Sequence, residues 1–470
     1  MVLKLYNTLS REKEPLPDQK KIRLFVCGPT VYDYLHIGNA RTYLFFDFFA
    51  KYLRARGYDV EYLENITDVD DKIIARAMTD GKDTAAVARS FTETFLADMK
   101  ALGVNAVTTY APATDFISQI IAQVERLIDK GFAYKIDGDG WYFDIAKDPD
   151  YGKLSGRTAA QAEDGVSRID DSVGKRNKGD FCLWKFSQTS LTDLEPRWPS
   201  ALGDGRPGWH IEDTAISEFY FGPQYEIHGG GVDLKFPHHE AEIAQQESAS
   251  GLVPFVKLWM HTGALTMDGK KMSKSAGNFL TIRDFLKAHP PEVLRWITLT
   301  HHYRSPLDYS EEAVTQAKNE LERIYGGIHN LAWAVDDALR ITKGSNKEES
   351  EIAPLERLKG QFEEALADDL NTSKAFAALR EIIFGDYGHF KERLELLKEM
   401  DGFLGLGFNK PIEGFSRELN AKIAEKFEEY KLSRANKQFI QSDALRKELK
   451  GLGYEVRDTE EGSVIVKKFF

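Results

Sequence analysis

The chain has 470 residues, 42% of them hydrophobic, and a formal net charge of −12. This length predicts roughly three domains of about 100–200 residues each. Two cysteines, Cys27 and Cys182, exclude a disulfide framework. Because we find neither a signal-peptide pattern nor an apolar stretch near the ~20 residues that cross a bilayer, we expect a cytoplasmic protein.

The first 120 residues or so alternate strand and helix patterns. Lys21–Val26 predicts a strand, Thr42–Arg56 a helix and Val60–Asn65 a second strand. Two further helices are predicted over Asp71–Thr79 and Thr84–Leu102. A βαβα order of this kind favours a parallel sheet.

The pattern changes in the middle of the chain. Phe132–Lys135 and Gly140–Ile145 predict a hairpin. A polar region rich in Gly and Asp then runs to about Gly203, and we interpret it as an insertion into the α/β unit. The α/β pattern returns with the strand Tyr225–Gly231 and a helix from about Pro237.

From Ser310 onward the sequence predicts an almost entirely helical region. Leu321, Ile324 and Ile328 recur at helical spacing and form an apolar stripe. A polar break over residues 343–351 predicts a solvated linker or loop.

The last part of the chain is locally basic. Between Lys431 and Lys450 there are six basic and two acidic residues, an excess of 6 − 2 = +4. Since phosphate contacts act within about 10 Å at ordinary salt, the overall negative charge neither supports nor excludes a nucleic-acid partner. A solvated basic face accounts for this segment almost as well. The final Gly453–Val466 predicts a small hairpin.

One segment, Cys27–Asn39, combines two candidate functional features. Cys27 follows the first predicted parallel strand, and the turn His36-Ile-Gly-Asn39 opens the next helix. Ligands bind at such strand ends and helix N-termini, because free N–H groups and the helix dipole point there. Taken alone, Cys27 is more often a small buried apolar residue, and the tetrapeptide can occur by chance.

A second motif, Lys271-Met-Ser-Lys-Ser275, lies later in the chain. Two lysines three residues apart, with hydroxyl groups and glycines nearby, suit a mobile loop that neutralises a triphosphate; a solvated loop is the alternative. Together with His36-Ile-Gly-Asn39, this motif resembles the signature pair of class I aminoacyl-tRNA synthetases. The resemblance implies attack of an amino-acid carboxylate on the α-phosphate of ATP, driven by positioning and charge stabilisation.

The same resemblance assigns the nucleotide site. His36 and Asn39 are expected to face ATP, and Lys271 and Lys274 to stabilise the pentavalent state and the departing pyrophosphate. The remaining residues expected to contact ATP, which enters with Mg²⁺, are Gly38, His228 and Gly230.

His238 and Glu242 lie four residues apart at the start of a predicted helix, on one face. This spacing suits two ligands of one metal ion, although an ordinary surface helix is about equally compatible with it.

The whole chain resembles the cysteinyl-tRNA synthetase family nearly from end to end. The segments that carry this resemblance are Cys27–Tyr32, Asn65–Asp71, Arg206–Asp213, His228–Asp233, Tyr303–Ser305, Asp369–Thr372 and Asp443–Arg446.

The resemblance implies one Zn²⁺ per chain that binds the substrate thiol, with Cys27, Asp213, His238 and Glu242 at the ligand positions. Asp213 stands where the family usually has cysteine. Asp213 can replace the thiolate, lie outside a three-ligand site, or indicate that no metal is bound. We favour the first alternative, because carboxylate oxygen is an ordinary zinc ligand. Cys27 is then the single protein sulfur at the site, and the substrate supplies the second.

The resemblance also assigns an amino-acid pocket, lined by Gly28, Thr67, Trp209 and Asp233. Trp209 is expected to close over the substrate, with a plain core residue as the alternative. Cys182 is expected to be buried and inert.

The implied fold class is α/β, a Rossmann-like parallel-sheet catalytic domain with an inserted connective domain, a helical bundle and a small anticodon-binding domain. The implied boundaries are 1–120 and 204–258 for the two catalytic halves, 121–203 for the insertion, 259–309 for a stem-contact region with the Lys271–Ser275 loop, 310–405 for the bundle and 406–470 for the anticodon-binding domain.

The implied activity is ATP-dependent attachment of L-cysteine to tRNA(Cys) through cysteinyl adenylate, by a monomer without membrane contact. The basic segment Lys431–Lys450 is then a candidate tRNA contact. Two alternatives remain open, a cysteine ligase that acts on an amino-sugar alcohol and a non-catalytic tRNA-binding paralogue.

Overall fold

The computed structural model describes residues 1–157, 172–187, 195–267, 269–272, 278–341, 352–412, 417–459 and 462–469. The chain divides into two compact units. The first unit contains residues 1–291, 301–309 and 367–370, and the second contains residues 292–300, 310–366 and 371–470.

The first unit contains most of the strands. They are β1 (Lys4–Asn7), β2 (Glu12–Pro15), β3 (Lys21–Val26), β4 (Asp59–Ile66), β5 (Thr109–Pro112), β6 (Ala133–Ile136), β7 (Gly140–Phe143), β8 (Phe181–Phe186), β9 (Gly205–Pro207), β10 (Tyr225–Gly231), β11 (Val256–Thr262), β12 (Leu265–Met267), β13 (Lys270–Lys271) and β14 (Leu307–Tyr309). Its helices are α1 (Ile37–Ala55), α2 (Asp71–Asp80), α3 (Thr84–Ala101), α4 (Ile117–Asp129), α5 (Ile211–Phe221), α6 (Glu240–Ser250) and α7 (Ile282–Ala288).

The centre of the first unit is a five-stranded parallel sheet in the order β11-β10-β3-β4-β5. This confirms the parallel sheet expected from the βαβα pattern. Leu24, Phe25 and Val26 are fully buried, as expected for a central strand covered on both faces. The chain leaves β3 toward β4 on one side and reaches β10 on the other, so the switch point of the sheet lies beside β3.

Helix α1 begins at Ile37, five residues before the predicted start at Thr42. The reason is a capping box: the Asn39 backbone N–H donates to His36 Nδ1, and the His36 N–H donates to Asn39 Oδ1. The helix packs an aromatic face against the sheet, with Phe46 and Phe49 fully buried.

The middle of the chain forms an antiparallel sheet in the order β6-β7-β8-β9. The predicted hairpin is confirmed, with Ala133 opposite Phe143 and Ile136 opposite Gly140. Cys182 lies on β8 and is buried against Tyr134, as expected for an inert thiol.

The second unit is mainly helical. Its elements are α8 (Pro291–Thr300), α9 (Glu311–Ile341), α10 (Ala353–Ala367), α11 (Thr372–Phe384), α12 (Phe390–Leu404), α13 (Arg417–Ala435), α14 (Phe439–Gly451), β15 (Tyr454–Thr459) and β16 (Gly462–Lys467). The predicted stripe of α9 is confirmed, since Leu321, Ile324 and Ile328 are fully buried. The terminal β15–β16 hairpin is confirmed too. Among the described helices, none has the length and apolar composition of a membrane span.

The predicted break over residues 343–351 lies outside the described residues. The six-part domain division remains a prediction.

Candidate active site

The candidate site lies at the carboxyl edge of the parallel sheet. Cys27 directly follows β3, Thr67 directly follows β4, and β10 and β11 end beside them at Gly231 and Thr262. Because all these strands are parallel, their carboxyl ends meet at one edge, where α/β proteins bind ligands. The sheet therefore gathers residues that are more than 200 positions apart in the sequence.

The four residues at the expected metal-ligand positions come together at this edge. One ligand atom from each of Cys27, Asp213, His238 and Glu242 lies within 4.8 Å of the others, and all four residues are buried. His238 Nε2 lies 3.0 Å from Asp213 Oδ2 and 2.8 Å from Glu242 Oε1. Cys27 Sγ lies 3.7 Å from Glu242 Oε1.

Three local features hold these side chains. Asp213 lies in the first turn of α5. His238 lies just before α6, after a kink at Phe236 where the backbone is extended, and Glu242 follows four residues later, within contact of His238. His238 Nδ1 lies 2.8 Å from His210 Nδ1, and this contact turns Nε2 toward the carboxylates.

Asn65 orients Asp213 and was not singled out by the sequence analysis. Its side-chain amide donates to Asp213 Oδ1 at 2.6 Å, while its own carbonyl oxygen Oδ1 accepts from the Gly28 N–H at 2.7 Å. A Cβ atom on Gly28 would lie 1.7 Å from the Asn65 backbone oxygen. The backbone next to Cys27 therefore requires glycine.

The cluster is electrostatically unbalanced. Burial raises the pKa of the Cys27 thiol well above its usual range, and Glu242 and Asp213 raise it further. Burial also raises the pKa of Glu242 to about 8, against the opposing effect of His238. For His238, burial favours the neutral ring, but Glu242 and Asp213 override it and raise the pKa to about 10.

Burial therefore disfavours the charged forms of Cys27 and Glu242, and the raised pKa of His238 makes this ring the positive charge beside the carboxylates. In addition, Glu242 Oε2 is buried without a hydrogen bond among the described residues, although His228 Nε2 lies 3.3 Å away. One sulfur, one imidazole and two carboxylates form a donor set that suits zinc. The residues present therefore fit a divalent cation.

Two further histidines surround Cys27 on another side. His228 Nε2 lies 3.2 Å and His239 Nε2 lies 3.1 Å from Cys27 Sγ. Together with Cys27 and Glu242 they form a second group of four donors within 4.8 Å. Burial lowers the pKa of both rings well below the ordinary value, so both are neutral.

The side chain of His228 lies elsewhere than expected. His228 is expected to contact ATP, but its ring is 1% exposed and faces Cys27 and Tyr225. The reason is its position on β10. His228 is the last residue before the three glycines of this strand, and its side chain points into the core, where it stacks on Trp259. His239 has no role predictable from sequence, since its contact with Cys27 depends on the fold.

Trp209 is one of the four residues expected to line the amino-acid pocket. This half-buried ring stacks on His238 at 4.4 Å and lines a cavity of about 120 Å³ together with His210 and Pro237. Thr67 is buried, and its hydroxyl donates to Glu212.

Asp233 is more exposed than Trp209 and Thr67. It is exposed in the short turn that follows β10. Its expected role in binding the substrate stays a prediction.

The first nucleotide motif is built on the start of α1. A Cβ atom on Gly38 would lie 2.8 Å from His36 Nδ1, so the tight turn leaves no room for a side chain there. His36 also packs edge-on against Phe279 at 5.3 Å. Asn39 completes the capping box.

The second nucleotide motif is only partly described. Lys271 belongs to β13, which pairs with β12, and its side chain lies outside the description. Lys274 lies outside the described residues altogether. A Cβ atom on Gly230, the remaining expected ATP contact, would lie 2.9 Å from His239 Cε1.

Comparison with known families gives a match over most of the chain. The family model of the class I (C) tRNA synthetase catalytic domain matches residues 13–319. A cysteine–tRNA ligase of Thermococcus onnurineus is 42% identical over 99% of both chains. A cysteine–tRNA ligase of Caldicellulosiruptor saccharolyticus is 41% identical over 98% of this chain and 99% of its own.

Solved structures give a likeness in fold alone. A methionyl-tRNA synthetase of Mycobacterium tuberculosis in complex with methionyl-adenylate has a TM-score of 0.59 and 16% identity, covering 84% of this chain and 91% of its own. A leucyl synthetase of Agrobacterium radiobacter in a ternary complex with tRNA has a TM-score of 0.56 and 13% identity, covering 84% of each chain.

Proposed function

This chain belongs to the cysteine–tRNA ligase family, and from that premise we propose that it attaches L-cysteine to tRNA(Cys) through a cysteinyl adenylate formed from ATP. The observation that carries the proposal is the buried group of Cys27, Asp213, His238 and Glu242 beside Trp209. This group lies at the same sheet edge as the start of α1.

The activation step joins the cysteine carboxylate to the α-phosphate of ATP and releases pyrophosphate. His36 Nδ1 accepts the Asn39 N–H, so Nε2 carries the proton in the neutral ring and is a donor for a phosphate oxygen. The N-terminus of α1 adds the positive end of the helix dipole. Lys271 and Lys274 neutralise the charge that moves onto pyrophosphate.

We propose that Cys27, Asp213, His238 and Glu242 hold Zn²⁺. When bound, the metal supplies a Lewis acid that takes a thiolate and rejects a neutral hydroxyl, which separates cysteine from serine without an editing site. Asn65 holds the Asp213 carboxylate, and Trp209 covers His238 and restricts water at the site.

Of the three interpretations of Asp213, the geometry favours direct ligation. Its Oδ2 atom belongs to the same compact donor group as Cys27, and its Oδ1 atom is occupied by Asn65. Replacing a thiolate by a carboxylate preserves the charge of the site but donates less electron density. The site then selects less strongly for zinc over harder metals.

We further propose that α13 and α14 contact tRNA. Of the basic residues in this segment, Arg434, Lys437, Lys447 and Lys450 are exposed. These helices belong to the C-terminal segment 406–470, which we interpret as an anticodon-binding domain, and a cysteine ligase acting on an amino-sugar alcohol would not need such a domain.

The choice of acceptor tests the proposal. The full-length protein should catalyse cysteine-dependent ATP–pyrophosphate exchange and produce cysteinyl-tRNA(Cys). Exchange activity combined with transfer to an amino-sugar alcohol in place of tRNA would assign the related ligase activity. Binding of tRNA without any exchange activity would make the chain a non-catalytic paralogue.

A further inference from the structure

Six donor side chains surround the centre of the candidate site, more than one tetrahedral metal ion needs. They form two groups of four that share Cys27 and Glu242. The first group adds Asp213 and His238, and the second adds His228 and His239. The question is what the second pair of side chains does.

Counting protons on Cys27 determines which atoms donate. Two imidazole nitrogens lie 3.1 and 3.2 Å from its sulfur, while a thiol carries only one proton. At least one imidazole must therefore donate an N–H to the sulfur. A metal-bound cysteine is a thiolate with no proton at all, so His228 and His239 then both donate.

Both donors are themselves held at their second ring nitrogen. His228 Nδ1 lies 2.7 Å from the Tyr225 hydroxyl oxygen, and His239 Nδ1 lies 2.8 Å from His261 Nε2. His261 Nδ1 in turn lies 2.8 Å from the Thr8 hydroxyl oxygen. If each hydroxyl donates, every ring nitrogen along both chains is satisfied and both Nε2 atoms carry the proton. The His239 N–H then faces Cys27 Sγ, and the His228 N–H faces both Cys27 Sγ and Glu242 Oε2, which lies 3.3 Å away.

The two groups also differ in access. Trp259, which is 1% exposed, stacks on His228 at 4.4 Å and lies 5.2 Å from His239, so this side is closed by core. His238 is instead covered by the half-buried Trp209, which lines the cavity. A metal that binds substrate needs an open position, and the half-buried cover of His238 is better placed to provide one than the buried core around His228 and His239.

We propose that His228 and His239 are positioning residues, not metal ligands, and that they hold the Cys27 thiolate by two N–H···S hydrogen bonds. This inference rests on the proposed function, because it assumes that Cys27 ligates a metal on the Asp213–His238 side. The two bonds withdraw electron density from the sulfur that is the single protein thiolate of the site. They fix its orientation and leave the metal more electrophilic toward the substrate thiol.

The neighbouring residues His238 and His239 allow a direct test, because one is a proposed ligand and the other a proposed positioning residue. The full-length protein is loaded with Co²⁺, whose sulfur-to-metal charge-transfer band reports the electron density on Cys27. His238→Leu should abolish stoichiometric cobalt binding. His239→Leu should keep one cobalt per chain, weaken its affinity about 10–100-fold and move the band to lower energy. His239→Gln, which restores an N–H donor, should move the band back toward the wild-type position.

The outcomes are separable. Loss of cobalt from His239→Leu to the same extent as from His238→Leu, in protein with unchanged circular dichroism, would make His239 a ligand and overturn the inference. An unshifted band in His239→Leu would overturn it as well. If His239→Leu does not fold, Tyr225→Phe can be used in its place. This variant removes the hydroxyl that holds His228 Nδ1, so it should shift the band in the same direction, and no shift would count against the inference.

A wild-type protein without any cobalt–sulfur band would instead refute the proposed metal site itself.

Discussion

Asp213 is the residue at which this site differs from the usual family pattern, so its substitution is informative. We expect Asp213→Ala to lose bound zinc and to raise the KM for cysteine roughly 100-fold or more, because ligand loss should exceed the 10–100-fold effect of outer partners. Asp213→Cys should retain one zinc per chain. Metal analysis and pyrophosphate exchange measure both. Unchanged zinc and KM in Asp213→Ala would remove Asp213 from the metal site.

Gly28 is the second residue whose change should act on the site directly. In Gly28→Ala the new Cβ would collide with the Asn65 backbone oxygen, at 1.7 Å, so the chain next to Cys27 must move. A displacement of about 1 Å costs on the order of 100-fold in rate, and we expect that loss in kcat/KM for cysteine in the exchange assay.

A matched control for this change is Gly360→Ala. Gly360 lies within α10, where an added Cβ meets nothing within 4 Å. Its exchange rate should equal that of the wild type. A fully active Gly28→Ala would show that the close approach of Gly28 to Asn65 does not position Cys27.

At the residue scale, the sequence predicted which four side chains come together but not the residues that hold them. The spacing of His238 and Glu242 made them candidates, and the family resemblance placed Cys27 and Asp213 with them. Asn65 and His239 could not be assigned a role. Asn65 reaches Asp213 over 148 positions and His239 reaches Cys27 over 212, so only the folded sheet edge brings them into contact.

At the scale of elements, an ion pair joins β3 to β10 next to the switch point. Arg23 on β3 donates to both carboxylate oxygens of Glu226 on β10, and the carboxylate is fully buried. Burial alone would raise the pKa of Glu226, but the Arg23 hydrogen bonds override it and lower the pKa to about 2. The charged form is therefore stabilised by folding.

The pH dependence follows from this direction. Because the pKa of Glu226 is lower in the folded protein, its contribution is complete above the unfolded value of about 4.5 and is lost as pH falls toward 2. We expect Glu226→Gln to reduce the free energy of unfolding by ~3 kcal/mol at pH 7, with a difference from wild type that shrinks below pH 4. Urea unfolding at several pH values measures this difference.

The control is Glu61→Gln, which removes the more exposed pair between Lys21 on β3 and Glu61 on β4. That change should cost within about 0.5 kcal/mol. Two results would contradict this account: an equal loss of unfolding free energy in Glu226→Gln and Glu61→Gln, or a loss in Glu226→Gln that does not change with pH.

The ends of helices and strands were predictable where hydrophobic periodicity determines them, as for β3. The start of α1 was not, because a capping box between His36 and Asn39 draws the first turn back to Ile37. Capping depends on side-chain geometry that hydrophobic periodicity does not report.

At the scale of the whole molecule, the proposed tRNA contact on α14 lies in the second compact unit, whereas the candidate metal site lies in the first. We expect the double change Lys447→Glu and Lys450→Glu on α14 to raise the KM for tRNA about tenfold and to flatten its salt dependence, because two phosphate contacts are lost. Cysteine-dependent pyrophosphate exchange, which needs no tRNA, should be unaffected.

Lys391→Glu on α12 provides the matched control, since this lysine is also exposed. It should leave the KM for tRNA unchanged. If Lys391→Glu raised the KM for tRNA as much as the double variant does, the effect would reflect the net charge of the protein and not a contact at α14. An unchanged KM in the double variant would show that α14 does not contact tRNA.

The parallel sheet was predictable at this scale, because the alternation of strand and helix permits few topologies. The position of β10 beside β3 was not, since nearly 200 residues separate the two strands and no local pattern encodes their pairing. Yet that pairing brings His228 to Cys27.

The central claim is that a metal held by Cys27, Asp213, His238 and Glu242 selects cysteine for activation. Zinc content and cysteine-dependent ATP–pyrophosphate exchange, measured on the same full-length preparation during removal and return of zinc, test it most directly. We expect one zinc per chain, exchange with cysteine but not with serine, and activity that falls and recovers in proportion to zinc. Full cysteine-dependent exchange in protein with well under one zinc per chain would contradict the claim.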